Sequence, residues 1–400
     1  MRRVYPARHL VWAGILLFLF RLGARRRLRF DLSSPAGIAN LNRLAGTDLE
    51  AIPHPDTLAY LLHRLPPDAL DLVRSEMMET LLRSRALEPF RLRGRLYTIA
   101  ADGTGVLVFR ERHCEHCLTQ THEGHTIYYH NVLEMKLVTP NGLALSIATE
   151  FIENTDGKTK QDCELTAFYR LIPKFRKRFP MLPVCLLLDG LYLNQNVLRL
   201  LKKHRLDYII TFKEGSLPIA YSEFQTLHPM TPNQTLRRQT GTVEQTFRWL
   251  NGLAHEDQSF NAFECVETVP GKKPTTFFWA TSLTVFEKNV VELSDNGGRC
   301  RWKIENEGFN TQKNGGYNLT HAYSEDETAA KNFYLLLQIA HLLGQLVEKS
   351  RLFPKPVAAL FGSSRAFALR LLEAFRNVAL TAERLHDVLT SGYQVRFDTS

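Results

Sequence analysis

Apolar residues change their spacing along the chain, and the changes divide it. Between about residues 10 and 95 they recur at three and four positions, as in 68–85, with Pro35, Pro53 and Pro66-Pro67 as breaks. This spacing predicts an all-α N-terminal region. From Arg95 the period becomes two, and 95–101, 105–109, 126–138 and 143–150 predict strands of a largely antiparallel sheet. Residues 162–179 then read as a helix with a basic outer face, and 184–188 are apolar on both alternations, as a strand covered by helices on both faces requires. A helix at 195–204 and a strand at 208–212 continue the alternation, which is α/β architecture. Through 215–290 the helical period vanishes while 240–247, 262–269 and 275–285 alternate like strands, predicting a β-rich insertion. Helices are predicted again at 299–312, 327–349 and 364–389. The expected divisions are 1–94, 95–214, 215–290, 291–350 and a helical C-terminal region, 351–400.

Four hundred residues exceed what one core usually organises, so more than one domain is expected. A chain 44% hydrophobic and 23% charged is globular and excludes long disordered tracts. The net charge of +9 suits a polyanionic partner, nucleic acid above all, although a merely basic soluble protein carries such a charge too. Basic runs at 25–29, 174–178, 202–205 and Arg237-Arg238 are scattered, as patches on a folded surface are. Six cysteines, at 114, 117, 163, 185, 265 and 300, form no disulfide framework and suit a reducing cytoplasm. The apolar run 10–20 follows Met1-Arg2-Arg3, which raises a signal peptide or a membrane anchor as alternatives. It is shorter than the roughly 20 residues a span needs and no cleavage pattern follows, so a buried helix is expected.

Carboxylates at strand ends draw attention because such ends are rigid and open into the crevice where α/β sheets bind ligands. Asp102 closes the predicted strand 95–101 and precedes Gly103-Thr104-Gly105, read as a turn. Asp189 closes 184–188 and precedes Gly190. Either is also an ordinary turn residue. In Arg299-Cys300-Arg301-Trp302-Lys303-Ile304-Glu305, helical spacing sets Arg301, Glu305 and Phe309 on one face with Trp302 beside them. That group is either a surface ion pair or a helix that ligates metal while gripping nucleic acid. A second cluster, His113-Cys114-Glu115-His116-Cys117, has His122, His125 and His130 after it. Its CxxC and histidines are zinc-ligand types, but no second pair stands at a standard finger spacing.

From about Arg95 to Lys349 the chain resembles the DDE transposases of bacterial insertion sequences, in the group with a β-strand insertion before the catalytic glutamate. The order matches: an Asp after a strand, an Asp after an apolar strand, a β-rich segment, then Glu on a helix. The group's signature is Tyr, two residues, Arg, three residues, Glu, six residues, Lys. Arg301 and Glu305 fit it, and Trp302 stands where relatives have tryptophan. Two positions depart: Gly298 replaces the tyrosine, and Gln312 holds the lysine position with Lys313 one step later.

The resemblance implies a ribonuclease-H-like α/β fold in which Asp102, Asp189 and Glu305 are the catalytic triad and hold two Mg2+ ions, with Mn2+ as a substitute. It implies cleavage at the ends of a mobile element through a hairpin intermediate and strand transfer into target DNA, by a homodimer on paired ends in the bacterial cytoplasm. Arg301 and Lys313 would contact phosphate, and Trp302 and Trp279 would brace flipped bases, although a tryptophan in Phe277-Phe278-Trp279 is more often a core residue. Two alternatives keep the fold: a DNA-binding protein without catalysis, and a metal-dependent nuclease without strand transfer. The region before residue 95 is the expected end-recognition module.

Overall fold

The computed structural model describes residues 5–112, 114–154, 161–391 and 394–398. Five helices come first: α1 (Ala7–Leu19), α2 (Arg27–Leu32), α3 (Pro35–Ala45), α4 (Pro55–Arg64) and α5 (Pro67–Arg83). Proline stands at the first turn of α3, α4 and α5, where its missing N–H costs nothing. The apolar run becomes α1, buried on nearly every side, and its Gly14 lets Leu336 of a later helix come close. Among the described residues no helix is long and apolar enough to cross a membrane.

Strands β1 (Tyr97–Phe109), β2 (Leu118–His122), β3 (His125–Val138) and β4 (Ala144–Ile152) follow, then α6 (Glu164–Arg178), β5 (Val184–Leu188), α7 (Gln195–Lys203) and β6 (Asp207–Thr211). The next elements are α8 (Pro218–Leu227), β7 (Thr235–Thr240), β8 (Val243–His255), β9 (Gln258–Thr268) and β10 (Thr275–Thr281). All ten strands join one mixed sheet in the order β2-β3-β1-β5-β6-β10-β9-β8-β7, with β4 also on β3. The pairs β1–β5 and β5–β6 are parallel, the rest antiparallel. The chain is thus α/β, its mixed sheet flanked by helices.

Helices cover both faces of the central strands, which accounts for the unbroken apolar run of β5. Val184, Leu186 and Leu188 enter one core with Phe168 of α6 and Leu201 of α7. Cys185 and Leu187 enter another with Ile304 and Phe309. Helices α9 (Glu287–Glu292), α10 (Thr311–Asn314), α11 (Glu327–Lys349), α12 (Val357–Phe361), α13 (Ser364–Asn377) and α14 (Ala382–Thr390) complete the chain. A third core joins α1 and α4 to α11.

The structure corrects several expectations. Residues 103–105 are not a turn: β1 runs through them, paired with β3 from Ile99↔Leu137 to Phe109↔Tyr128, and only a register shift between Gly105 and Leu107 marks the glycines. Glycine in a strand interior often signals such a bulge. The segment 215–290 contains a helix, α8, whose buried Ala220 and Phe224 are too few to show a period. Its strands extend the main sheet through β10 on β6. The predicted helix 299–312 is irregular, with a 3-10 turn at Gly298–Arg301 and a π-helix at Ile304–Asn310 before α10.

A buried polar network ties these layers together. Glu134 of β3, fully buried, accepts hydrogen bonds from Ser146, from Thr149 at 2.7 Å and from Tyr334 of α11 at 2.8 Å. Arg74 of α5 lies 3.9 Å from Glu134 and donates to Ser146 at 3.0 Å. Lys136, also fully buried, is 3.6 Å from Glu134 and donates to Gln338 at 2.6 Å. Gln338 in turn accepts from Gln312 of α10 at 2.8 Å. Such a network is stable only when each member is satisfied.

One side chain of α11 closes the end of α4. The Asn332 amide of α11 donates to the carbonyls of Leu62 at 2.8 Å and Leu65 at 2.7 Å, closing the end of α4. Asn332→Ala is expected to cost about 1–3 kcal/mol by leaving buried carbonyls unpaired. Urea denaturation of the full chain checks this, and unchanged stability would show that the bonds contribute nothing.

Candidate active site

Where β1 and β5 run parallel, their last paired residues are Ala100 and Leu187. Two positions further along stand Asp102, still within β1, and Asp189, just past the end of β5. Beyond this point β1 continues along β3, while β5 ends at Leu188 and turns into the 3-10 helix Gly190–Tyr192. The strands therefore part at the two aspartates, and the crevice opens at the carboxyl end of the parallel strands. Asp189 caps its turn, accepting the Leu191 N–H at 2.8 Å. Asp102 accepts the Gly103 N–H at 3.0 Å.

Across the crevice lies the irregular helix that follows α9. Its 3-10 turn brings the Arg301 Nη1 to 3.3 Å from Asp102 Oδ2. The guanidinium also lies 4.5 Å over the Trp302 ring, and Trp302 is 54% exposed, available to a planar partner. Glu305 occupies the second position of the π-helix, within electrostatic reach of Asp102.

Glu164 was missed by sequence reading. It is the first residue of α6 and its Oε1 accepts the Tyr192 hydroxyl at 2.6 Å. A Cβ on Gly103 would fall 2.2 Å from Glu164 Oε2, so the approach depends on glycine. The available signal was a carboxylate opening an amphipathic helix, which is common at helix starts and points to no site by itself.

Four carboxylates thus share one partly buried crevice with one guanidinium. Burial pushes the Asp102 carboxyl up to about 6; Arg301 pulls it down, and Glu164, Asp189 and Glu305 raise it further. Burial also raises Glu164, opposed by the Tyr192 hydrogen bond. The donors are hard oxygens around an excess of negative charge, which fits Mg2+ or Mn2+. Among the described residues, three ligand atoms within 4.8 Å of one another occur at Cys114, Cys117 and His130, not among the carboxylates. No family model matches the chain. Nor does any curated protein match it.

Other expected residues fall elsewhere. Trp279 is not an open base platform: it is 4% exposed, stacked 6.0 Å from Phe277 and tilted against Phe263 at 5.0 Å. It also explains Gly298, where a Cβ would meet the indole Cε2 at 2.3 Å. A tyrosine cannot stand there while Trp279 keeps its place. Gln312 is buried, donating to Gln338 at 2.8 Å and bonded to the His341 ring at 3.0 Å. Lys313 is half-buried, its Nζ 6.0 Å from the Phe309 ring centroid. In the cysteine cluster, His116 turns away: its Nδ1 donates to the Asn154 carbonyl at 2.7 Å. His130 of β3 takes its place, and His113 lies outside the described residues.

Two outcomes are expected. In chelated protein the folded pKa of Asp102, about 6, stands above the ordinary 3.8. Its contribution to stability is therefore full below the unfolded pKa and lost as pH rises through the folded one. Asp102→Asn should raise unfolding free energy by about 1–2 kcal/mol near pH 8 and change it little near pH 4. Urea denaturation in chelator reads both, and a destabilised variant near pH 8 would contradict the charge argument. Gly298→Tyr should lower stability by about 3 kcal/mol through overpacking, with part regained when Trp279→Ala is added. Thermal unfolding checks this, and a fully stable single variant would refute the indole clash.

Proposed function

We propose that this chain is a DDE transposase with a ribonuclease-H-like catalytic core. It cleaves DNA at the ends of an insertion sequence and joins them to target DNA. One observation carries the reading: Asp102 and Asp189 stand beside each other where two parallel strands part, with Glu305 and Arg301 facing them. The strand run β4-β3-β1-β5-β6, antiparallel then parallel with helices on both faces, supports the core assignment.

In this reading Asp102, Asp189 and Glu305 hold two Mg2+ ions, which supply an activated water or 3′ hydroxyl and relief of charge on the leaving oxygen. Arg301 orients the scissile phosphate by its free guanidinium edge, while its bond to Asp102 fixes its direction. Trp302, exposed beside it, stacks on a base drawn from the duplex end. Lys313 supplies a second phosphate contact. The π-helix between Glu305 and Lys313 supports that assignment, because a π turn takes up one residue more than an α turn, the lag by which Lys313 trails the signature. Glu164 braces β1 beside Asp102 through Gly103 and Tyr192. Residues 1–94 serve in recognition of the element's ends, and a homodimer pairs two of them.

The test uses purified full-length chain, Mg2+ and duplexes built from the DNA that flanks its reading frame. Native protein is expected to nick and to transfer strands; Asp189→Asn should reduce both to background while retaining DNA binding in a mobility-shift assay. Cleavage by the variant would overturn the triad, and nicking without any joined product would leave a nuclease in its place.

A further inference from the structure

Outside the acidic crevice, the described residues converge on one other point. The loop between β1 and β2 carries Cys114 and Cys117, and His130 of β3 reaches toward both thiols. The Cys114 Sγ is 3.4 Å and the Cys117 Sγ 3.6 Å from His130 Nε2. In a tetrahedral zinc site, bonds of about 2.3 Å to sulfur and 2.05 Å to nitrogen set these separations near 3.6 Å. The two sulfurs are 2.8 Å apart. They would open by about 1 Å to reach tetrahedral spacing, a movement within the reach of cysteine rotamers.

The loop is held in this shape by bonds that do not involve the three ligand atoms. The Asn154 amide donates to the Cys117 carbonyl at 2.8 Å, and the Asn154 N–H donates to the His116 carbonyl at 3.1 Å. Arg112 donates from Nε to the Cys114 carbonyl at 3.2 Å and from Nη2 to the Glu115 carbonyl at 3.0 Å. His130 sits opposite Leu107, at the register shift of β1 against β3. Preorganised soft and imidazole donors of this kind select zinc over the hard cations that suit carboxylates.

We propose that Cys114, Cys117 and His130 form a zinc site that clips the β1–β2 loop to β3. Its place is structural: it fastens the far end of the strand that carries Asp102, at the bulge where that strand's pairing is interrupted. The site is independent of the function proposed for the acidic crevice, and it is read without any activity measurement.

The full-length protein, purified after growth with zinc, is expected to carry about one zinc per chain by elemental analysis, released when its thiols are capped with an organomercurial. Cobalt in place of zinc should give thiolate-to-metal charge-transfer bands and the intense visible bands of a tetrahedral ion, which carboxylate-bound cobalt lacks. Cys114→Ser and His130→Ala should each weaken zinc binding by at least about 100-fold, more than loss of a ligand's hydrogen-bond partner costs. Circular dichroism shows whether each variant folds. If neither does, zinc titration of chelated native protein followed by the cobalt spectrum decides alone. A metal-free protein that gives no cobalt thiolate bands, whether its thiols are reduced or joined as a Cys114–Cys117 disulfide, overturns the proposal. So does full zinc retention in folded variants.

Discussion

Gathering like charges is the constraint around which the rest of the chain is arranged. Four carboxylates face one crevice, and burial with mutual repulsion pushes Asp102 up to about 6. Left to itself, such a cluster would scatter into solvent or take up protons. It stays because its members are fixed by separate elements: Asp102 on a strand paired with β3 on either side of it, Asp189 as a turn cap, Glu164 on the first turn of α6, Glu305 on a π-helix. Arg301 supplies the opposing charge. Strain of this kind at a site is offset by stability elsewhere, and a divalent cation would relieve it directly.

The offset lies immediately behind the crevice. On β3, Glu134 stands opposite Asp102, and cross-strand partners share a face of the sheet. Glu134 is wholly buried and saturated by Ser146, Thr149 and Tyr334, with Lys136 and Arg74 nearby. The same network passes through Gln338 to Gln312 and so to the end of the helix that carries Glu305. One connected set of buried polar groups therefore ties β3, the strand paired with that of Asp102, to α10, which continues the helix of Glu305. A charge buried with partners on every side is costly to disturb, which makes the crevice walls rigid.

Sequence legibility followed how local each feature is. β5 was readable because burial on both faces leaves an unbroken apolar run, and α11 because its period persists over 23 residues. Asp102 was found for a wrong reason: Gly103 and Gly105 imitate a turn, whereas pairing with β3 carries the strand through them. Glu164 was illegible because its relation to Gly103 is a contact between distant parts of the chain. His130 was visible as a residue and not as a ligand, since only the β1–β3 register sets it opposite the CxxC loop. Trp279 stood open between base platform and core because an aromatic in an apolar strand has the same sequence whether it faces core or solvent.

Both departures from the signature follow from packing around one helix. The indole of Trp279 fills the space a side chain at 298 would need, so Gly298 and the buried tryptophan imply each other. Downstream, the π-helix Ile304–Asn310 winds in an extra residue, which turns Gln312 inward to Gln338 and His341 and leaves Lys313 at the more exposed position. A lysine at 312 would add a charge beside Lys136 within the same buried network, a cost the amide of Gln312 avoids. The π turn thus keeps the inner face of this helix free of a second charge. The same turn leaves Arg301, Glu305 and Phe309 without a common face: Phe309 enters the core, while the other two stay at the crevice.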